Sequence, residues 1–226
     1  MIEAPSLEYV ISHIRETRNP MRGILLAPKF DKIGMDEIIP RFSYLEYRTS
    51  DKINFYCAGY GGYWNDELFP DMEKLKTFKY KDGSSIPWAF SQTEFAKFID
   101  ELESKTSWRY SGGTELIILD ENADFSNAIT FNIEKMITSK VLANSAELFE
   151  ALIQRSRNSK NSITGFSSSS FGKHTSEAFV ESLIELLPKG IKPLKGIWIK
   201  GQHYFLNDLT KERGHSKRSW ITGRPK

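Results

Sequence analysis

Cysteine is almost absent: Cys57 is the single thiol in 226 residues. One thiol excludes a disulfide framework and any zinc module built on paired cysteines. Histidine is scarce as well. The four histidines, His13, His174, His203 and His215, fall in no His-x-Glu or His-Glu-x-x-His spacing, so a zinc site lacks its ligand set. No apolar run approaches the roughly 20 residues that a membrane span needs. Residues 1–10 (MIEAPSLEYV) lack the basic and apolar blocks of a secretory signal. The expected setting is cytoplasmic, with no membrane partner.

Two catalytic signatures are missing too. There is no Gly-x-Ser-x-Gly elbow. No Gly-rich phosphate loop ending in Lys and Ser/Thr precedes an acidic strand end. The nearest stretch, 165–175 (GFSSSSFGKHT), has six residues between its glycines and places His174 between Lys173 and Thr175. It also follows the acidic strand instead of preceding it, so a P-loop ATPase is rejected.

What is present is a chain with 31 Lys plus Arg against 29 Asp plus Glu, spread unevenly. Residues 210–226 hold Lys211, Arg213, Lys217, Arg218, Arg224 and Lys226 against Glu212 alone. Residues 154–175 carry Arg155, Arg157, Lys160 and Lys173 with no acid. A mildly acidic body thus bears two basic segments in its C-terminal third.

Periodicity supplies the elements. Leu7, Val10, Ile11 and Ile14 predict a helix over 6–18 with Ser6 as its cap. Residues 23–27 (GILLA) and 52–58 (KINFYCA) predict buried strands, the second running into a Gly-rich loop, 59–64 (GYGGYW). Residues 36–48 have near-helical spacing that Pro40 must interrupt or begin. Pro87 argues for an edge position for the extended piece 86–90. Ser91 and Glu94 form a capping box ahead of Phe95, Phe98, Ile99 and Leu102. Residues 114–120 (TELIILD) predict a buried strand, and 128–137 an alternating, half-solvated one. Ser145 is placed to cap a helix with Leu148, Phe149, Leu152 and Ile153 on one face. Thr175 or Ser176 is placed to cap another with Phe179, Val180, Leu183, Ile184 and Leu187. Residues 196–206 alternate around Gly201 as a hairpin would.

The expected fold class is α/β: a mixed, mostly parallel central sheet flanked by helices, with an antiparallel edge or C-terminal hairpin. One domain is expected over 1–209, with 140–190 as a candidate small helical lobe and 210–226 as a basic, flexible tail.

Ligands of open α/β sheets bind beyond the carboxyl ends of strands. That rule singles out Lys29, Phe30 and Asp31, the run from Cys57 to Trp64, and the acids Asp120, Glu121 and Asp124. If the three strands are parallel neighbours, the three groups share one rim. Asp120, Glu121 and Asp124 offer hard oxygens to Mg²⁺, against the plainer reading of a solvated acidic turn. Lys173 and Thr175 stand where a helix start could hold a phosphate, against the reading of a Ser-rich loop with a cap. Cys57 is a nucleophile candidate only if a remote histidine reaches it; otherwise it is a small core residue.

The functional expectation is a non-catalytic binding or adaptor protein. Its contacts to a macromolecular partner or phosphorylated ligand would come from Tyr60, Gly61, Gly62, Tyr63 and Trp64 and from Lys173, Thr175, Arg218 and Trp220 in the basic segments. A protein partner is expected first, nucleic acid or a nucleotide second, and no cofactor. The alternative is a Mg²⁺-dependent enzyme acting on a phosphate ester or nucleic acid through Asp120, Glu121 and Asp124.

Overall fold

The structure, a computed structural model, describes residues 1–17, 21–49, 52–106, 108–119, 125, 128–158, 183, 186–187 and 206–208. The chain opens with β1 (Ile2–Ala4), after which Ser6 caps α1 (Leu7–Glu16) by accepting from the Tyr9 amide. Leu7, Val10 and Ile14 form the buried stripe of α1, as their spacing predicts. β2 (Met21–Leu26) follows, buried at every position. Arg22 on β2 closes the other end of α1, donating to the Ile14 and Thr17 carbonyls at 3.3 and 2.9 Å.

Pro40 does break the next helical stretch. A single π turn (Gly34–Ile38) and a 3₁₀ turn (Ile39–Arg41) holding Pro40 precede α2 (Phe42–Thr49). Proline has no N–H to donate and tolerates only a first turn, so the regular helix starts after it. β3 (Ile53–Ala58) is again fully buried.

The main sheet has the order β1-β3-β2-β7-β8-β9, with β7 (Glu115–Leu119), β8 (Ile129–Asn132) and β9 (Leu206–Asp208). β1, β3 and β2 are parallel; β7, β8 and β9 each pair antiparallel with their neighbour. The mixed α/β sheet is thus parallel near the start of the chain and antiparallel towards its other edge.

Phe55 and Tyr56 are adjacent on β3 and face opposite sides of the sheet. Tyr56 meets His13 of α1, its hydroxyl 3.0 Å from Nδ1. Phe55 packs edge-on against Phe149 of α5 (Ser145–Asn158), ring centroids 5.3 Å apart. Gly23 lies beside Phe55 because a Cβ there would stand 2.8 Å from the Phe55 ring.

Between β3 and α3 (Gln92–Lys105) the chain builds a second, antiparallel sheet of order β4-β6-β5, from β4 (Tyr60–Gly62), β5 (Glu73–Lys79) and β6 (Ser85–Phe90). Two expectations change here. The Gly-rich run contains a strand, Tyr60–Gly62, paired with Trp88–Phe90. β6, despite Pro87, is the central strand. The sheet accommodates the missing N–H because the β5 register shifts between Lys74 and Thr77, just before Thr77 pairs with Pro87, and because β4 stops short of it.

The strand expected over 128–137 ends early. Asn132 accepts from the Lys135 amide at 2.8 Å and caps α4 (Ile133–Thr138). The four residues of β8 are buried, not half-solvated, so both faces of the strand are covered. The expected hairpin over 196–206 and the expected helix after Thr175 lie outside the described residues, apart from Leu206 and from Leu183, Leu186 and Leu187. Leu183 and Leu187 are buried in the common hydrophobic core, and Leu186 packs against it partly buried. No helix among the described residues is long and apolar enough to cross a membrane.

Candidate functional site

β1, β3 and β2 deliver their carboxyl ends to one rim, where Lys29, Phe30 and Asp31 follow β2. The strand that meets them there is β7, at its amino end: Leu26 pairs with Glu115, while Leu119 pairs with Arg22 at the far rim. The strand leading to Asp120 therefore runs the other way, and the parallel arrangement on which a shared rim depended does not hold for β2 and β7. The four apolar residues 116–119 look the same in either direction, so the sequence carries no sign of this reversal. Asp120, Glu121 and Asp124 themselves, with Lys173, Thr175, Arg218 and Trp220, lie outside the described residues. Among the described residues, no group of three or more His, Cys, Asp and Glu is arranged to hold a metal.

What occupies the rim is the segment 108–115. Glu115 is 2% exposed and accepts from Trp108 Nε1 and the Ser111 amide, both at 3.0 Å, and from Asn132 Nδ2 at 3.5 Å. Burial nonetheless dominates these bonds and pushes its carboxyl above the usual range. Asp31 accepts from the Thr114 hydroxyl and from the Gly34 amide, tying the β2 end to the start of β7. The buried Tyr110 hydroxyl makes no hydrogen bond; burial first, then Glu115, Asp31 and Glu134, push it well above the phenol range. With the oxygens of Glu115 taken up inside the fold, this network organises the loop and does not offer an acid to a substrate.

The aromatic run 60–64 splits in two. Tyr60 is fully buried; its hydroxyl donates to the Ala27 carbonyl, and its ring packs on Phe42, Trp88 and Phe90. Gly61 is needed for packing: a Cβ there would sit 2.0 Å from the Trp64 indole. That indole lies over the glycine and stacks on Phe69, centroids 4.1 Å apart. Tyr63 is the member left to solvent, 71% exposed, and it holds a left-handed φ of 60°. Its amide donates to Pro87 O at 3.2 Å, which fixes the turn. Leu68, also 71% exposed, belongs to the same connection to β5.

Cys57 is fully buried, and burial pushes its thiol up to about 12. A thiol held protonated and out of solvent is no nucleophile, so it is a core residue.

A cavity of about 450 Å³ lies between the π turn and α2 on one side and the start of α5 on the other. Ile38, Leu45 and Phe149 give it apolar wall; Glu37, Arg41, Tyr44, Ser145 and Glu150 give it polar groups. The two elements are clasped beside it. Arg48 pairs with Glu150 at 2.8 Å, and the Tyr44 hydroxyl donates to Glu150 at 2.6 Å while accepting from Arg48 at 2.6 Å. Ser145 is not the cap of α5: Asn144 is, its Oδ1 accepting from the Ala146 amide at 3.0 Å. The sequence reading missed this cavity, whose walls lie about a hundred residues apart; its only local signals are the Pro40 break and the polar start of α5.

No protein-family model, no curated protein and no solved structure matches the chain.

Proposed function

We propose that the chain is a non-catalytic binding or adaptor protein whose docking tip for a protein partner is the connection from Tyr63 to Phe69. The observation that carries this reading is Tyr63, a bulky aromatic held at φ 60° with 71% of its surface in solvent. Side chains other than glycine, asparagine and aspartate avoid that conformation, and strain of this kind concentrates where a side chain is presented for a purpose. Tyrosine is also a favoured anchor at protein interfaces, being large, stiff and amphipathic. Leu68 adds apolar surface, and Trp64 on Phe69 supplies a firm base. In this reading Lys173, Thr175, Arg218 and Trp220 add contacts to an acidic stretch of the same partner.

Site-specific photocrosslinking in the native cell tests it. A benzophenone side chain at position 68 should give one discrete adduct, lost in the Tyr63→Gly background and absent when the probe is moved to exposed Lys105 on α3. Adducts that are equal at both positions, or unchanged by Tyr63→Gly, would remove the tip from the protein's function. An adduct of twice the chain mass would identify a second copy as the partner.

A further inference from the structure

Four lysines on or just after β5 carry unpaired charge. Lys74, Lys76, Lys79 and Lys81 are all exposed, and none of their ammonium groups makes an ion pair or hydrogen bond among the described residues. The acid beside them, Glu73, is already paired with Lys29. Sequence spacing alone would scatter them, since residues five apart on a regular strand, such as Lys74 and Lys79, face opposite sides of the sheet. The register shift between Lys74 and Thr77 reverses this. Lys74 pairs with Ala89 and Lys79 with Ser85, four residues apart on β6, so both lysines rise from one face with their backbones about 13 Å apart. It is the outer face, because Phe78 and Phe90 point the other way and are buried at 3% and 2%. Lysines on an outer strand also deter pairing with other chains. That role needs only an uneven edge, which the bulge supplies; it does not need the lysines aligned on one face.

We infer that the outer face of the small sheet binds a short acidic segment of a protein, held extended along β5 with its carboxylates on Lys74, Lys79 and Lys81. An extended peptide repeats a side chain on one face about every 6.8 Å, which matches Lys79 to Lys81 and, doubled, Lys74 to Lys79. Acids bound the lysine stretch at both ends, Asp66, Glu67 and Asp71 before it and Asp82 after it. A nucleic-acid strand, charged at every nucleotide, would run past the lysines on to these acids. No exposed aromatic ring lies within 74–81 for a base to stack on, since Phe78 is buried and the half-buried Tyr80 packs against it. The face takes no residue from the Tyr63–Phe69 connection, so each reading can fail without the other.

Fluorescence anisotropy tests the inference, with the full chain titrated into a labelled, capped peptide that alternates Glu with Thr, the same peptide with Gln for Glu, and labelled oligothymidylate. The Glu peptide binds saturably and more weakly as salt rises, and the Gln peptide does not bind. Lys74→Glu combined with Lys79→Glu weakens the Glu peptide at least about tenfold, because two attractions become repulsions. Lys105→Glu on the exposed face of α3 leaves binding unchanged, and so does Lys217→Glu combined with Arg218→Glu in the other basic segment. The inference is overturned if the Glu peptide does not bind, if the Gln peptide binds as well, or if oligothymidylate binds more tightly. It is also overturned if the β5 pair of substitutions binds like the wild type, including the case in which that variant self-associates, which would make the lysines guards of the edge alone. Should the variant fail to fold, amide chemical shifts of the wild type on adding the Glu peptide decide. Shifts largest within 74–89 support the face, and larger shifts elsewhere overturn it.

Discussion

Trp108 Nε1 donates to the Glu115 carboxylate across 3.0 Å, and neither residue is more than 2% exposed. The indole, the Ser111 amide and the Asn132 side chain all converge on one buried acid, so the segment 108–115 owes its shape to a charge that burial penalises.

The sign of the resulting pH effect follows. The Glu115 pKa is raised in the folded state, mainly by burial, so the native protein binds more protons than the unfolded one between the ordinary glutamate value of about 4.3 and the raised value. Stability from this group is present below the ordinary value and is lost as pH rises through the raised one. Urea unfolding of wild type and Glu115→Gln should therefore show the wild-type advantage shrinking with rising pH across that window. A difference that is constant or grows would mean the carboxyl is not raised. Glu115→Ala strands three donors and should cost about 2–4 kcal/mol at pH below that window, and less above it.

Tyr63 and Gly59 make an opposed pair. Both have positive φ, 60° and 75°, but Tyr63 is mostly solvated while a Cβ at Gly59 would stand 2.6 Å from Phe95 Cβ. Tyr63→Gly should raise stability by about 0.5 kcal/mol through relief of the left-handed strain, whereas Gly59→Ala should cost about 3 kcal/mol. Thermal melts of the two variants check both signs; a destabilised Tyr63→Gly would show that the exposed ring contributes packing.

Cys57 should resist thiol reagents in the folded protein and react with a single stoichiometric burst once urea unfolds it. Cys57→Ser should cost about 1–3 kcal/mol by burying a poorly satisfied hydroxyl, with Cys57→Ala less costly. Rapid labelling under native conditions would place the thiol at the surface.

The clasp of α2 on α5 is measurable as a coupling. Arg48 and Glu150 keep 26% and 30% of their side-chain surface in solvent, so screening discounts the pair. A double-mutant cycle to alanine should return about 1 kcal/mol, falling as salt rises. Coupling near zero would leave the packing of Phe149 as what holds the two helices together.

Local chemistry made some of this fold legible and geometry at a distance hid the rest. Ser6 and Ser91 accept from amides three residues on, a relation written in adjacent letters, and the stripes of α1 and α3 are equally local. The strand Tyr60–Gly62 was hidden by its own composition, because glycine pairs lower strand propensity and the gain comes from Trp64 filling the space they leave. Pro87 argued for an edge, yet β6 is central: the remedy, a register shift in β5 about ten residues upstream, cannot be read from the proline's own neighbourhood. Asp71 accepts from the Ser91 hydroxyl and the Thr93 amide at 2.7 and 2.8 Å, a second cap on α3 supplied from twenty residues away. Arg41 and Ser145 line one cavity across a still longer gap, which is why the Pro40 break and the polar start of α5 do not by themselves reveal it.

The small sheet leaves the main one at Gly59 and the chain returns at Ser91, whose amide donates to the Gly59 carbonyl at 2.9 Å. Departure and return are one hydrogen bond apart, so the 60–90 excursion is a side branch rooted at one place and pinned to the body where the Gly62 amide donates to Glu3, Lys29 to Glu73 and the Lys79 amide to Ser43. Its outer rim, from Tyr63 to the exposed β5, can change in length and chemistry without moving a strand of the six-stranded sheet, provided that Tyr60 and Trp88 still cover Phe42. Novelty in what the protein touches can accumulate on that branch while the trunk stays as it is.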